Sequence, residues 1–346
     1  MKLETFDDVL ASTKKNPDRK FHLLLGNGFS MAYDPAIFSY NALHHFVTKQ
    51  DDKDLSTILD VIETRNFEMI MQHLDTFSAL ILAFGGNPKL KKRIDDASAK
   101  LKSSLLNAVK ALHPEHVFKV PDEKSKACSN FLKVFFNSGG NTYSTNYDLL
   151  LYWVLMRNSI VKHVDGCGRE LENMDEHVPP EEQIWSELTW GKHRDEQNVF
   201  YLHGALQFFD NGVAVTKEEY NIYNYILQNI NVKMEKNEYP IFVTAGDGQQ
   251  KLRHIRHNQY LTHCYDSLSN AEGSLVTFGF NFGSYDEHII TAINKAAKYG
   301  KKATNKLWSI YIGVYSEDDI KHIEKIADTF KCKVHIFDAK TAHVWE

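Results

Sequence analysis

The chain has 346 residues, 43% of them hydrophobic and 25% charged, with a formal net charge of −5. That length suffices for one large domain or two smaller ones, and the slight acidity argues against a nucleic-acid-binding face as the main business. No apolar run approaches a bilayer span and Met1 to Asp8 carries no signal-peptide core, so no membrane contact and a cytoplasmic location are expected.

Residues 4–15 read as a short amphipathic helix, broken by Asn16-Pro17-Asp18. Phe21-His22-Leu23-Leu24-Leu25 is apolar at four of five positions, which suits a short strand buried on both faces. Gly26-Asn27-Gly28 then ends it in a turn whose backbone approaches something closely. Converging N–H groups and the dipole of a helix opening just after the turn suit a phosphate, although an ordinary strand-to-loop turn explains the same residues equally well. The glycine loop is expected to run to Asp34-Pro35, where Asp34 caps a helix through Ile37, Tyr40, Leu43 and Phe46.

From about 53 to 137 the pattern stays helical, interrupted at Gly85-Gly86-Asn87-Pro88, and predicts a helical insertion. Its charge run from Lys89 to Lys102 reads as a solvated face. Asn141 to Asn146 returns to strand composition, and Asp148 is placed to cap an apolar helix over Leu149 to Met156. Residues 162–196 read as a loop region carrying short helices. The next strand, Val199 to Leu202, ends at His203-Gly204, and two short strands flank Asn211-Gly212 as a hairpin.

A helical run over Tyr220 to Val232 leads to a strand at Ile241 to Thr244, which meets Ala245-Gly246-Asp247-Gly248. Helix resumes near Asn258 to Leu268, followed by a buried strand Ser274 to Gly279 and a helix over Glu287 to Tyr299. A strand at Trp308 to Gly313, a helix from Glu317 to Phe330 and a strand at Lys333 to Phe337 complete the pattern. Strands alternating with helices predict an α/β fold, a Rossmann-like, mostly parallel sheet with helices on both faces, whose ligand sits beyond the carboxyl ends of the strands.

Four such ends carry small or polar side chains: Gly26-Asn27-Gly28, Thr145-Asn146, His203-Gly204 and Gly279-Phe280-Asn281. Parallel neighbours would bring them to one crevice. Singly, each has a structural explanation: Asn146 and Asp148 as caps, His203 as a satisfied core histidine, Gly279 as a helix entry. A dehydrogenase fingerprint is ruled out by Met31 where its third glycine belongs, and a Walker-type loop by the absence of Gly-Lys-Ser/Thr. Cys128, Cys167, Cys264 and Cys332 form no Cys-x-x-Cys pair and read as free thiols. His254 and His257 lack a nearby third ligand, so no metal is expected.

In order and content, the four strand ends resemble the sirtuin-like NAD-consuming domains, in particular the bacterial members similar to antiviral NADases. Gly26-Asn27-Gly28-Phe29-Ser30 resembles that family's Gly-Ala-Gly-x-Ser loop, and Ser144-Thr145-Asn146-Tyr147-Asp148 its Thr-x-Asn-x-Asp motif. His203-Gly204 is similar to the catalytic His-Gly, and Gly279 to Asp286 to the late Gly-Tyr-Ser-x-x-Asp segment holding the adenosine half. The resemblance covers residue 21 onward, with the helical block outside it. The four-cysteine zinc module of protein-deacylating sirtuins has no counterpart, and Phe38-Ser39-Tyr40-Asn41 replaces their Pro-Asp-Phe-Arg stretch.

The resemblance implies one NAD-binding domain over 1–346 with the insertion at 53–137, hydrolysing NAD to ADP-ribose and nicotinamide with water as acceptor. It implies catalytic roles for Asn146 and His203, and binding roles for Gly26, Asn27, Gly28, Ser30, Thr145, Asp148, Gly279, Asn281 and Asp286. Control is expected through a homo-oligomer or a separately encoded, nucleotide-sensing partner. The rival readings are a non-catalytic NAD or ADP-ribose sensor and a protein deacylase or ADP-ribosyltransferase.

Overall fold

Thr5 and Asp8 satisfy each other's backbone groups in a capping box, so the first helix is Phe6–Lys14 and the residues before it are free to pair. Leu3–Glu4 (β1), expected to lie at a helix start, instead aligns in parallel with Ile336 and Phe337. This computed structural model describes residues 2–15, 19–38, 49, 52–62, 67–158, 160, 162–172, 183–220, 223–236, 238–243, 247–298 and 306–346. The expected helix positions Tyr40, Leu43 and Phe46, together with Ser39, Asn41, Thr244, Ala245, Gly246 and Tyr299, lie outside those residues.

The apolar run Phe21–Leu25 (β2) is buried along its whole length, as a strand covered on both faces must be. Thr142–Ser144 (β3), Val199–Tyr201 (β6), Gly273–Phe278 (β10), Leu307–Val314 (β11) and Lys333–Asp338 (β12) complete a seven-stranded sheet in the order β1-β12-β11-β10-β2-β3-β6. Every neighbouring pair in it is parallel. With β1 set aside, the strands numbered along the chain lie in the order 3-2-1-4-5-6 of the doubly wound dinucleotide fold. The order reverses between β2 and β10.

Successive side chains of β2 alternate between two helical layers. Phe21 stacks on Phe135 of helix Asp122–Asn137, with ring centroids 5.1 Å apart. His22 points the other way, towards Tyr143, whose hydroxyl meets Ser267 Oγ of helix Gln259–Ser269 at 3.1 Å. Helices therefore cover both faces. Leu23, Leu24, Leu25, Leu275, Val276, Ile310 and Ile312 are sealed between them, each burial stabilising the fold by about 1.5–3 kcal/mol.

Residues 162–196, expected as loop and short helix, supply strands Cys167–Gly168 (β4) and Thr189–Trp190 (β5) besides a single turn at Arg194–Glu196. They join Gly204–Asp210 (β7), Val215–Lys217 (β8) and Pro240–Phe242 (β9) in a second, antiparallel sheet ordered β4-β5-β8-β7-β9. The hairpin at Asn211-Gly212 lies between β7 and β8 as expected. The strand near Ile241 is a correction: it borders β7 in the antiparallel sheet and is not one of the parallel set.

The helical block divides. Helices Lys53–Ile62, Phe67–Ala83 and Pro88–Leu112 enclose a small core of their own, including Leu55, Leu59, Ile70, Met71, Leu74 and Leu101. Asp122–Asn137 instead buries Cys128, Phe131, Leu132, Phe135 and Phe136 in the main core. On the insertion surface Lys91 and Lys100 pair with Asp95 and Asp52 at 2.6 and 2.9 Å, and Arg93 pairs with Asp54. Exposed pairs of this kind contribute about 0–1 kcal/mol each.

His22 joins three strands at their entry ends. Its Nδ1 accepts from Asn141 N at 2.9 Å, so the hydrogen sits on Nε2 and is donated to Glu272 O at 2.7 Å. Burial lowers its pKa from 6.5 to about 4, against the pull of the Glu272 carbonyl. Between those values the unfolded chain binds a proton that the folded one refuses, so stability is whole above pH 6.5 and declines as pH falls towards 4. From neutrality to about pH 5 the His22 contribution to the loss is about 2 kcal/mol, to be read as a lower urea midpoint. A midpoint unchanged over that interval contradicts a neutral, buried His22.

Candidate functional site at the carboxyl edge

The pairings Phe278↔Leu25, Leu25↔Ser144 and Ser144↔Tyr201 put the last residues of four adjacent strands in one row. Gly279, Gly26, Thr145 and Leu202 follow that row directly, so all four expected motifs emerge from one edge of the sheet. Asn146 and His203 each stand two residues beyond the pair Ser144↔Tyr201, on adjacent strand ends.

At the point where the strand order reverses, backbone meets backbone. Gly28 N donates to Gly279 O at 2.8 Å and Gly26 N to Phe278 O at 3.0 Å. A Cβ on Gly28 would lie 2.5 Å from Gly279 Cα, and one on Gly26 would lie 2.5 Å from Gly279 O. Gly279 has φ +67, in the left-handed region that favours glycine. The glycines are thus required by contact between two strand ends. The helix expected after a long loop opens at once, as Asn27–Tyr33 with Gly26 as its N-cap. Phe29 N bonds back to Gly26 O at 2.9 Å, which leaves exposed Asn27 at the outer end of the turn. The Asn27 side chain reaches Phe38 O at 3.4 Å.

Behind the glycine turn runs a chain of side-chain hydrogen bonds. Ser30 Oγ donates to Asp148 Oδ2 at 2.5 Å, and Asn146 Nδ2 donates to Ser30 Oγ at 2.9 Å. The hydroxyl has one hydrogen, and a carboxylate only accepts, so Asn146 must present its NH₂ to Ser30. Its carbonyl oxygen, without a hydrogen-bond partner among the described residues, is the end left for a ligand. Asp148 Oδ1 accepts Leu150 N at 2.9 Å, which starts helix Leu150–Arg157. Thr145 bonds Leu25 O through both its N–H and its hydroxyl, at 3.0 and 3.2 Å.

His113 stands behind Asp148. Its Nε2 accepts Leu149 N at 3.0 Å and its Nδ1 meets Pro114 O at the same distance, which fixes the tautomer. Burial lowers its pKa, with Asp148 pulling the other way.

His203 occupies the corner where the chain leaves the parallel sheet for the antiparallel one. Gly204 makes that corner possible: its φ is +81, and a Cβ there would fall 1.9 Å from Ile241 O. His203 is 3% exposed and its Nε2 lies 2.8 Å from His288 Nε2. Burial first, then the His288 ring and Lys251, hold His203 well below the usual imidazole range. Burial and Lys251 bring His288 down to about 3. Lys251, wholly buried in helix Gly248–His257, has its Nζ 3.7 Å from Asp286 Oδ1. Asn281 is exposed on the loop after Gly279, and Asp286 ends the turn Ser284–Asp286.

Ser30, Asn146 and Asp148 are therefore in contact, whereas His203 and Asp286 form a separate group with His288 and Lys251. Lys251, His288 and His113 escaped sequence reasoning because they lie on helices or before them, not at strand ends. His254 and His257, exposed, line a cleft of about 510 Å³ with Asp210, Tyr239, Ile241 and Phe242, beside the strand that abuts Gly204.

A parallel sheet in this order, with its polar loops gathered at the carboxyl edge, defines a Rossmann-like α/β protein. A family described as "Domain of unknown function (DUF4917)" matches residues 23–345, and the chain belongs to it. Among curated proteins, none matches the chain.

Gly28→Ala is expected to destabilise the ligand-free protein by about 1–3 kcal/mol, because the new methyl must push two strand ends apart. Gly283→Ala is the control, since its Cβ would find its nearest neighbours at 3.6 and 3.7 Å. Thermal unfolding of both without ligand decides the matter, and equal melting temperatures refute the packing role of Gly28.

Proposed function

We propose that the chain is a hydrolase that cleaves NAD⁺ at the nicotinamide–ribose bond, releasing nicotinamide and ADP-ribose. The observation that supports this best is the row of four strand ends at the reversal of strand order, where a doubly wound sheet receives a nucleotide. The pyrophosphate lies over the turn at Asn27, and the adenosine half towards Asn281 and Asp286. The nicotinamide ribose faces Asn146 and His203. NAD⁺ enters as substrate, with no metal in the reaction.

The leaving nicotinamide departs neutral from a cationic bond, so the transition state at the ribose carbon is oxocarbenium-like. It needs an oriented acceptor more than an acid. Asn146, its amide nitrogen held by Ser30, offers a fixed carbonyl acceptor to a ribose hydroxyl or to water. His203 enters the reaction neutral, with a lone pair to take the proton as water attacks, although the burial, His288 and Lys251 that keep it neutral also weaken it as a base. Asp148 serves by locking Ser30, and through it Asn146.

The work of such an enzyme is in the cytoplasm, where it depletes NAD as an antiviral defence effector. It is held in check by self-assembly or by a separately encoded, nucleotide-sensing protein.

Purified protein incubated with NAD⁺ under activating conditions should release free ADP-ribose; modified protein would mark a transferase, and intact NAD⁺ a sensor. His203→Ala should lower turnover about a hundredfold or more with NAD⁺ affinity nearly intact, and Asn146→Ala should do likewise. The double variant should lose little more than either single one, since the two prepare the same acceptor. Wild-type turnover by a folded His203→Ala variant would remove His203 from the reaction.

A further inference from the structure

His203 and His288 come from different elements, the corner between β6 and β7 and the helix Glu287–Lys298. Their Nε2 atoms stand 2.8 Å apart and their ring planes differ by only 24°. Two neutral imidazoles in that contact share one hydrogen, so one ring donates and the other accepts. The contact is symmetric, and His288 Nδ1 is buried with no hydrogen-bond partner among the described residues, so His288 does not by itself set the direction. His203 Nε2 is taken up by His288, which leaves Nδ1 as the nitrogen that can meet a ligand. A base needs a lone pair there, so under the hydrolysis reading His203 donates from Nε2 and His288 accepts.

The surroundings hold this arrangement. The ionic group acting on the pair is Lys251, from helix Gly248–His257, whose Nζ lies 3.7 Å from Asp286 Oδ1 in the turn before His288. The Tyr265 hydroxyl donates to His288 O at 3.0 Å and ties that helix to Gln259–Ser269. The Lys251 charge disfavours a standing second proton on either ring, so the resting pair is a neutral donor and acceptor, and His203 passes on to solvent any proton it takes up.

We propose that His288 is a positioning residue: it fixes His203 in the Nε2–H tautomer and thereby makes Nδ1 of His203 the atom that receives the proton during hydrolysis. The ring contact stands by itself, whereas the tautomer and its chemical use rest on the NAD⁺-hydrolysis reading. In that step the water oxygen bonds to the ribose carbon as the carbon–nitrogen bond to nicotinamide breaks. The bonding pair leaves with the nicotinamide nitrogen, and the proton from water passes to His203 Nδ1 and then to solvent. His288 gives up no proton. It plays the orienting part that a carboxylate plays in a hydrolase triad, without adding a negative charge.

The test uses the full chain labelled with ¹⁵N-histidine, with the His203 ring signals assigned by their loss in His203→Gln. Near pH 7 the wild-type His203 ring should be neutral and carry its hydrogen on Nε2. His288→Phe should release it into the other tautomer or a mixture, and His288→Gln, whose side-chain carbonyl accepts in the same place, should restore it. An Nδ1–H ring in the wild type, or His203 signals unmoved by a folded His288→Phe variant, overturns the assignment.

With NAD⁺, His288→Phe should lower kcat about tenfold or more while KM stays within about twofold, and His288→Gln should recover most of the loss. Should the wild type leave NAD⁺ intact while the spectra follow this pattern, the hydrolysis reading falls and the tautomer stands. An active enzyme whose kcat ignores His288→Phe removes the positioning role. Thermal unfolding of each variant separates these outcomes from loss of the fold.

Discussion

Two strand ends meet at the centre of the parallel sheet with no side chain between them. Gly28 gives its N–H to the Gly279 carbonyl, and each glycine occupies space that a Cβ on the other would need. Because β2 and β10 are the strands at which the chain reverses its direction of travel across the sheet, this contact sets where the two halves of the fold join. The helix that opens at Asn27, the Ser30 hydroxyl on its inner face and the Phe280 to Asp286 loop all take their positions from it. The same residues that suit a phosphate loop in the sequence are thus, first, the seam of the sheet.

Around that seam the polar groups arrive already oriented. The Asn146 amide is turned by Ser30, Ser30 by Asp148, and Asp148 by the start of the next helix. The buried imidazoles behave alike: His22 and His113 each have one nitrogen accepting a backbone N–H and the other facing a carbonyl. His203 and His288 satisfy one another at Nε2 alone, and His288 Nδ1 has no hydrogen-bond partner among the described residues. A group buried in this way would lose about 1–3 kcal/mol if its partner were removed, so few alternative arrangements compete with the one present.

What the sequence disclosed follows from how much of each element its own residues dictate. Phe21–Leu25, apolar at four of five positions, and Gly273–Phe278, with Leu275, Val276 and Phe278, are short runs followed by glycine, a pattern that suits a doubly covered strand. Asn211-Gly212 announced its hairpin by turn chemistry. By contrast, Cys167–Gly168 and Thr189–Trp190 are two residues each, too short to carry a period, and exist because β8 and Trp190's neighbours supply the pairing. The strand ends bearing Asn146 and His203 were legible because topology alone brings such ends together. The partners His288 and Lys251 were not, since a buried lysine in Gly248-Gln-Gln-Lys-Leu-Arg has the local sequence of an exposed helix. The packing of that helix against Gln259–Ser269, Glu287–Lys298 and the Ser284–Asp286 turn puts its ammonium inside.

The central strand also waits long for one of its partners. His22 on β2 bonds Glu272, 250 positions later, and until β10 is made one edge of β2 has no strand to pair with. At ribosomal rates of about 5–20 residues per second that interval lasts roughly 12–50 s. During it the β10 edge of β2, the most apolar strand near the start of the chain, has no strand to cover it. The carboxyl-edge crevice is accordingly complete only when the returning strand docks.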